Sequence, residues 1–269
     1  MIDKRLKILL WIILLVLILF WLTPIITMII TSFSARWAFP NILPDGINTE
    51  AWDYVFKQNM DTYSSIRITM LIAFLTILIN LAVGFPAADA LGRYNFKGKA
   101  VTELLISMPI VLPPIAIILG LHRTFLRLGL TESLLGVVLA NVIPTLPYMI
   151  RALSSGFESL GFKWDDQAKM LGATKWQRIR YVTFPALLPS LIAGSSLCIL
   201  ISASQYVTVL LIGGGLIKTI PVVMFPFLSG GNQSIGSAYG FLFSGMALML
   251  LLIMDVILKR LYGRHKKVK

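Results

Sequence analysis

Side chains with reactive potential are few in this sequence of 269 residues. Two histidines, His122 and His265, and one cysteine, Cys198, are too scattered for the paired Cys/His spacing that holds a metal ion. Hydrolysis or proton coupling would want paired carboxylates or a serine beside a general base, yet Asp89, Glu103 and Asp255 each stand singly at the edge of an apolar run. The stretch "GGGLIKT" approximates a phosphate-binding loop, but Ile217 occupies the place where glycine must precede Lys218. Two groups remain. One is a set of neutral hydrogen-bonding residues inside apolar runs: Asn80, Asn141, Ser202, Ser204, Gln205 and Tyr206. Such groups either line a path for a polar solute or hold helices together. The other is "DDQAKMLGATKWQRIRYVTFPALLP", residues 165–189, where charge, tryptophan and glycine alternate.

The elements that must position these residues are apolar. The chain is 57% hydrophobic and 13% charged, against roughly 25% charged in ordinary soluble domains. A hydrocarbon core of about 30 Å takes roughly 20 apolar helical residues to cross. Six stretches satisfy that length: about 8–33, 66–90, 102–121, 133–150, 187–212 and 237–258. A soluble helical protein with a large core is the competing class, and the charge-free run "LLWIILLVLILFWL" argues against it. That run is too long for a signal-peptide core and has no small-residue cleavage site, so it counts as the first span. Cys198 falls inside the fifth span, and a lone cysteine excludes an intrachain disulfide. The expected fold is therefore an all-α polytopic membrane protein, with residues 1–269 as a single transmembrane domain.

A net charge of +12 invites a nucleic-acid reading, but its distribution points elsewhere. Of the 24 basic residues, 18 fall on one set of alternate loops: the N-terminus (Lys4, Arg5, Lys7), the loop with Arg93, Lys97 and Lys99, the region from Arg151 to Arg180, and the tail from Lys259 to Lys269. Arg36, Lys57, Arg67, Arg123, Arg127 and Lys218 make up the other set. The positive-inside rule then places both termini and residues 165–189 in the cytoplasm. The basic excess is an orientation signal, and nucleic acid is not an expected partner.

Several loops and spans carry local signals. On the outer side, Pro44, Asp45 and Gly46 suit a turn, and Asn48 or Thr49 can cap a short helix bearing Trp52, Tyr54 and Phe56 at headgroup level. Pro86 can kink span two. Pro109, Pro113 and Pro114 in span three, and Pro144 and Pro147 in span four, remove backbone donors where only neighbouring protein or water can satisfy the freed carbonyls. Residues 213–238 read as a Gly-rich loop with a re-entrant or surface-lying apolar middle.

Residues 165–189 read as two short helices joined at a glycine, within a loop of about 154–186. Asp165 and Asp166 meet the free donors and positive dipole of a first helical turn. Gln167, Ala168, Met170 and Leu171 follow, and Gly172 stops the helix at a left-handed position. After Ala173, Thr174 with Gln177 fits a capping box. Trp176, Ile179 and Val182 recur every third residue as an apolar stripe, with Lys175, Arg178 and Arg180 off it. Pro185 and Pro189 mark the entry into span five.

The order Asp166-Gln167-Ala168, three residues, Gly172, nine residues, Val182, Thr183, Phe184-Pro185 resembles the Glu-Ala-Ala motif of permease subunits of ATP-binding-cassette importers. The family pattern is Glu-Ala-Ala, three residues, Gly, nine residues, Ile, any residue, Leu-Pro. Spacing agrees throughout; Asp166, Gln167, Val182 and Phe184 are departures of residue type. The resemblance extends to six spans with the motif between the fourth and fifth. It implies a coupling helix formed by Asp165, Asp166, Gln167, Ala168, Leu171, Gly172, Ala173, Trp176, Ile179 and Pro185, seated in a cleft of a cytoplasmic ATPase subunit.

The same resemblance implies the partners: two ATPase subunits, a second permease that is a sister or identical chain, an extracytoplasmic solute-binding protein and the bacterial inner membrane. This chain is then a transport subunit rather than an enzyme and binds no cofactor, ATP and magnesium belonging to the ATPase chains. "ASQYVTVLLIGGG" and "KTIPVVMFPFLSGG" resemble the subgroup serving polyamines such as spermidine or putrescine, else thiamine, phosphonate or ferric iron. The rival functions are an ion-gradient-driven carrier or channel, which isolated-chain transport would reveal, and a non-transporting scaffold, which would tolerate disruption of residues 165–189.

Overall fold

A computed structural model describes residues 4–35, 37, 41, 44 and 46–266. Arg36, Asp45, Lys267 and Lys269 of the basic and turn assignments lie outside the described residues, as do the side chains of Lys4, Arg5, Arg264, His265 and Lys266. Among the described residues all the elements are helices, and the extended pairing is one isolated bridge between Ser34 and Ile47. Five helices are long and apolar enough to cross a membrane, or six when a sharply bent pair is counted as one span. This agrees with the all-α polytopic reading. Packing groups the chain into two compact units.

The first unit comprises residues 1–62 and 223–244. Helix α1 (Lys4–Ser32) is apolar on every side, and its side chains from Leu10 to Leu22 stand exposed. A helix without a polar face is suited to lipid or to another protein. Helix α2 (Glu50–Asp53) continues as a π turn over Tyr54–Gln58. Neither Thr49 nor Asn48 makes the expected N-cap: the Thr49 side chain makes no cap bond, and Asn48 Oδ1 accepts from Glu50 N at a long 3.4 Å. Trp52 packs against neighbouring rings. Trp52 lies 5.6 Å from Phe33, 5.9 Å from Phe56 and 5.8 Å from Phe241, centroid to centroid. Tyr239 is fully buried, with its hydroxyl 2.8 Å from Asn59 Nδ2 and 2.7 Å from Thr62 Oγ1.

The second unit comprises residues 63–222 and 245–269. Helix α3 (Asp61–Arg93) keeps Pro86 without breaking; its 33 residues span about 50 Å at 1.5 Å per residue. The third span, expected as one run over 102–121, is two helices, α4 (Lys99–Val111) and α5 (Pro114–Leu128), meeting at 98°. Leu112 and Pro113 are extended because a residue preceding proline is pushed out of the helical region, and here two such positions are adjacent. Helix α6 (Leu134–Leu160) starts at Ser133, whose Oγ accepts from Gly136 N at 3.0 Å, and holds Pro144 and Pro147 in its interior.

Between α6 and the membrane span that follows lie two short helices, α7 (Lys163–Met170) and α8 (Lys175–Arg178). The fifth span, expected over 187–212, is also divided: α9 (Phe184–Ala203) stops at Ser204-Gln205 and α10 (Tyr206–Gly213) begins anew. The segment expected as a loop over 213–238 contains a further helix, α11 (Ile220–Ser229), and the last helix is α12 (Gln233–Lys266). The first backbone donor of α11, Ile220 N, bonds Thr69 Oγ1 of α3 at 3.0 Å in a buried setting.

The core of the second unit is shared by α3, α6 and α9 through Ile77, Leu91, Met149, Leu153, Phe157, Leu187 and Ile199. A second cluster joins α3, α5, α6 and α10 through Ile72, Phe125, Val137, Val138 and Ile212. The α6–α9 crossing depends on small residues. A Cβ at Gly194 would sit 2.9 Å from Met149 Sδ, and one at Gly156 would run into Ser190 and Leu187. Close backbone approach through glycine is how helices gain dispersion contacts where lipid removes the hydrophobic driving force.

Candidate functional site

Residues 163–185 build a hairpin whose parts follow from local sequence. Asp165 and Asp166 occupy the first turn of α7, where carboxylates are favoured by the dipole. The helix closes as a Schellman motif. Ala173 N bonds Ala168 O at 3.0 Å, Gly172 N bonds Lys169 O at 3.0 Å, and Gly172 takes φ +82°. The expected capping box is present: Thr174 N donates to Gln177 Oε1 at 2.8 Å and Gln177 N to Thr174 Oγ1 at 3.4 Å. Arg178 Nη1 meets Asp165 Oδ2 at 2.7 Å, with both side chains about four-fifths buried. This bond joins the two sides of the hairpin across the glycine.

The second arm does not end where the sequence suggests. Helix α8 passes through a π turn at Ile179–Thr183 straight into α9, so Lys175–Ala203 is one rod of 29 residues. Pro185 has no N–H, and its ring crowds the carbonyl four residues back. The widened turn, closed by Phe184 N on Ile179 O, accommodates that without stopping the helix. Pro185 and Pro189 therefore lie within the rod instead of marking a fresh start.

The structure places the ten residues on the two arms and turn of this hairpin but gives them different surroundings. Leu171 is 88% exposed and Trp176 69% exposed, and beside them Met170 is 89% exposed. Asp166, Gln167 and Gly172 are exposed, whereas Asp165, Ala168, Ala173, Ile179 and Pro185 are partly to mostly buried. The stripe of Trp176, Ile179 and Val182 is thus split. Its inner end packs on the protein, and Trp176 stands exposed on the second arm as Met170 and Leu171 do at the end of the first. Several large apolar side chains exposed on one hairpin mark an interaction surface.

The neutral polar residues fall into two groups. Asn80, Asn141 and Ser202 are buried between helices. Asn80 Nδ2 donates to Thr145 Oγ1 at 2.7 Å and to Cys198 Sγ at 3.4 Å, and Asn141 Nδ2 donates to Ser202 Oγ at 3.3 Å. Thr145 Oγ1 donates to Asn141 O at 2.7 Å, beside Pro144. Bonds of this type tie α3, α6 and α9. Ser204, Gln205 and Tyr206 sit at the α9–α10 break, where Gln205 Oε1 accepts from Thr208 Oγ1 at 2.9 Å and Ser204 Oγ donates to Ile201 O at 3.0 Å.

Sequence reasoning missed two features. The Asp165–Arg178 bond joins residues too far apart for any local rule. A cavity of about 480 Å³ between α3, α4 and α6 is lined by Glu103, Ser107, Arg151, Ser154 and Glu158, with Arg151 Nη2 donating to Ser107 Oγ at 2.9 Å. The polar spacing Glu103/Ser107 and Arg151/Ser154/Glu158 along single helix faces was the available signal.

Residues 80–264 match the family described as the binding-protein-dependent transport system inner membrane component. The chain belongs to that family. This transport-system component resembles the sulfate transport system permease protein CysT of Salmonella typhimurium, with 28% identity over 229 residues that cover 80% of this chain and 82% of the relative. It resembles the putative 2-aminoethylphosphonate transport system permease protein PhnV of Salmonella typhi, with 26% identity over 246 residues, 91% of this chain and 92% of the relative. Its fold matches a bacterial ABC transporter involved in the import of the acidic polysaccharide alginate, with a TM-score of 0.71 and 18% identity, covering 97% of this chain and 98% of that one. The protein is thus a multi-pass inner-membrane permease of the ABC importer type, a transport subunit and not an enzyme.

Proposed function

We propose that residues 163–185 are the coupling element of this permease, seated in a cleft of a cytoplasmic ATPase subunit. The observation that carries the reading is the continuity of α8 with α9: a docked Trp176 is fused to a membrane span, so a displacement of the tip moves the span without an intervening joint. The capping box, the Schellman closure and the Asp165–Arg178 bond stiffen the hairpin. ATP and magnesium act on two partner ATPase chains, a second permease completes the pathway, and both termini lie in the cytoplasm with the hairpin. A solute-binding protein on the far side is supported by the alginate transporter, which is also known in complex with an alginate pentasaccharide-bound periplasmic protein.

The solute is small and charged. The sulfate and 2-aminoethylphosphonate relatives support an oxyanion or phosphonate. The polyamine expectation keeps one supporting observation, since Glu103 and Glu158 outnumber Arg151 in the cavity between α3, α4 and α6. Uptake by cells carrying the whole system, competed with sulfate, 2-aminoethylphosphonate or spermidine, separates the two. Competition by spermidine alone would overturn the oxyanion reading. For the coupling reading, Trp176→Asp should abolish solute-stimulated ATP turnover by the assembled transporter while the chain still inserts and assembles; full turnover would refute it.

A further inference from the structure

We propose that the cavity at the root of the hairpin, between the end of α3, the end of α6 and helices α7 and α8, is a binding site for a tetrahedral oxyanion of the phosphate class. The cavity holds about 360 Å³. At its back lies Arg93, whose side chain is 7% exposed. Its guanidinium carbon is 4.9 Å from the Phe157 ring centroid and 5.5 Å from that of Phe162. The Nε stands 3.3 Å from Asp89 Oδ1, an ion pair without hydrogen-bond alignment, so Arg93 Nε and Nη2 are buried donors with no hydrogen-bond partner among the described residues. Arg178, on the opposite wall, gives Nη1 to Asp165 and leaves its buried Nε unpartnered.

Buried donors on charged groups left without acceptors each cost on the order of 1–3 kcal/mol or more, and three of them belong to Arg93 and Arg178, which line one polar cavity together with Asp89, whose Oδ1 is the one buried acceptor there without a hydrogen bond among the described residues. An acceptor from outside the chain removes that penalty. Charge says which kind. Asp89 is paired with Arg93 and Asp165 with Arg178, which leaves Asp166 against Lys169 and Lys175 at the rim, a surplus of one positive charge. Guanidinium forks suit oxyanions, and the cavity takes its cationic residues from three elements, Arg93 from α3, Lys169 from α7 and Lys175 and Arg178 from α8. The phosphate can come from an anionic phospholipid headgroup or from free inorganic oxyanion. Bound there, it would tie α3 to both arms of the hairpin. That consequence rests on the coupling reading; the binding itself does not.

The test uses the full chain, purified without any ATPase. In uncharged detergent, inorganic phosphate and sulfate are titrated against chloride at constant ionic strength while thermal unfolding is followed. In nanodiscs, phosphatidylcholine is compared with phosphatidylcholine plus phosphatidylglycerol. The expected result is a saturable rise in Tm with phosphate or sulfate, reduced in affinity about 5-fold by Lys169→Gln and abolished by Arg93→Gln. A rise with phosphatidylglycerol alone assigns the site to a headgroup. Should Arg93→Gln fail to fold, Lys169→Gln, altered only at an exposed rim residue, decides. No rise with either oxyanion or with phosphatidylglycerol, or an undiminished rise in Lys169→Gln, overturns the proposal. Because no ATPase is present, such a failure leaves the coupling reading untouched.

Discussion

Asp165 and Arg178 meet at 2.7 Å although they lie 13 positions apart on either side of a glycine turn. The bond sets the angle between the arm that opens the hairpin and the arm that runs into the membrane. With both side chains mostly buried, removing one partner strands the other, at a cost on the order of 1–3 kcal/mol. Arg178→Ala should therefore loosen the hairpin, seen as faster limited proteolysis around residues 170–175, with reduced solute-stimulated ATP turnover. The exchange Asp165→Arg with Arg178→Asp should recover much of both. Equal proteolysis of Arg178→Ala and the native chain would show the bond to be idle.

Gly172 adopts φ +82° with open space around it, so any change there tests backbone conformation rather than crowding. An L-residue with a Cβ pays roughly 1–2 kcal/mol in that region, and asparagine less. Gly172→Asn should transport nearly as well as the native chain, Gly172→Ala measurably worse. Gly172→Pro should be worst, because it also deletes the N–H that bonds Lys169 O. Uptake rates in whole cells give the ranking, and any other order would argue against a conformational role.

Local chemistry made most of the hairpin legible in sequence. A cap such as Thr174–Gln177 and a stop such as Gly172 are properties of neighbouring residues, so spacing alone reveals them. Six apolar stretches were equally legible, because hydropathy reports length. Hydropathy says nothing of direction, which is why the 98° break at Leu112-Pro113 lies inside the single span expected over 102–121. The break at Ser204-Gln205 has no proline to announce it. The continuity of α8 with α9 was hidden for the opposite reason: Pro185 reads as a boundary, and a π turn absorbs it. The Asp165–Arg178 bond depends on the hairpin already being folded, and no one-dimensional pattern contains it.

Asn80 and Asn141 stand where a pathway and a structural role make different predictions. Each is fully buried and donates to a neighbouring helix. Interhelical hydrogen bonds within membranes contribute about 0.6–2 kcal/mol. Asn80→Leu should lower stability in detergent by roughly that amount, read as a lower Tm, while the KM for solute stays unchanged. A shifted KM with unchanged Tm would return Asn80 to the pathway.

The α6–α9 crossing gives the strongest stability prediction. Gly194 faces Met149 and Ala152 so closely that an added Cβ would sit 2.9 Å from Met149 Sδ and 3.2 Å from Ala152 Cβ. Met149 is itself fully buried in the core shared by α3, α6 and α9, although its thioether is flexible. Alanine at Gly194 should thus be accommodated by a shift of that side chain, with a loss of about 1 kcal/mol. Leucine must push the rods apart, and overpacking of that kind costs about 1–3 kcal/mol or more. Because α9 carries the hairpin at its other end, Gly194→Leu should also uncouple ATP turnover from uptake in whatever fraction of the protein still folds. Parallel measurement of Tm and of solute transported per ATP separates the two effects. A Gly194→Leu chain with native Tm would mean that the crossing is wider than the 2.9 Å approach requires.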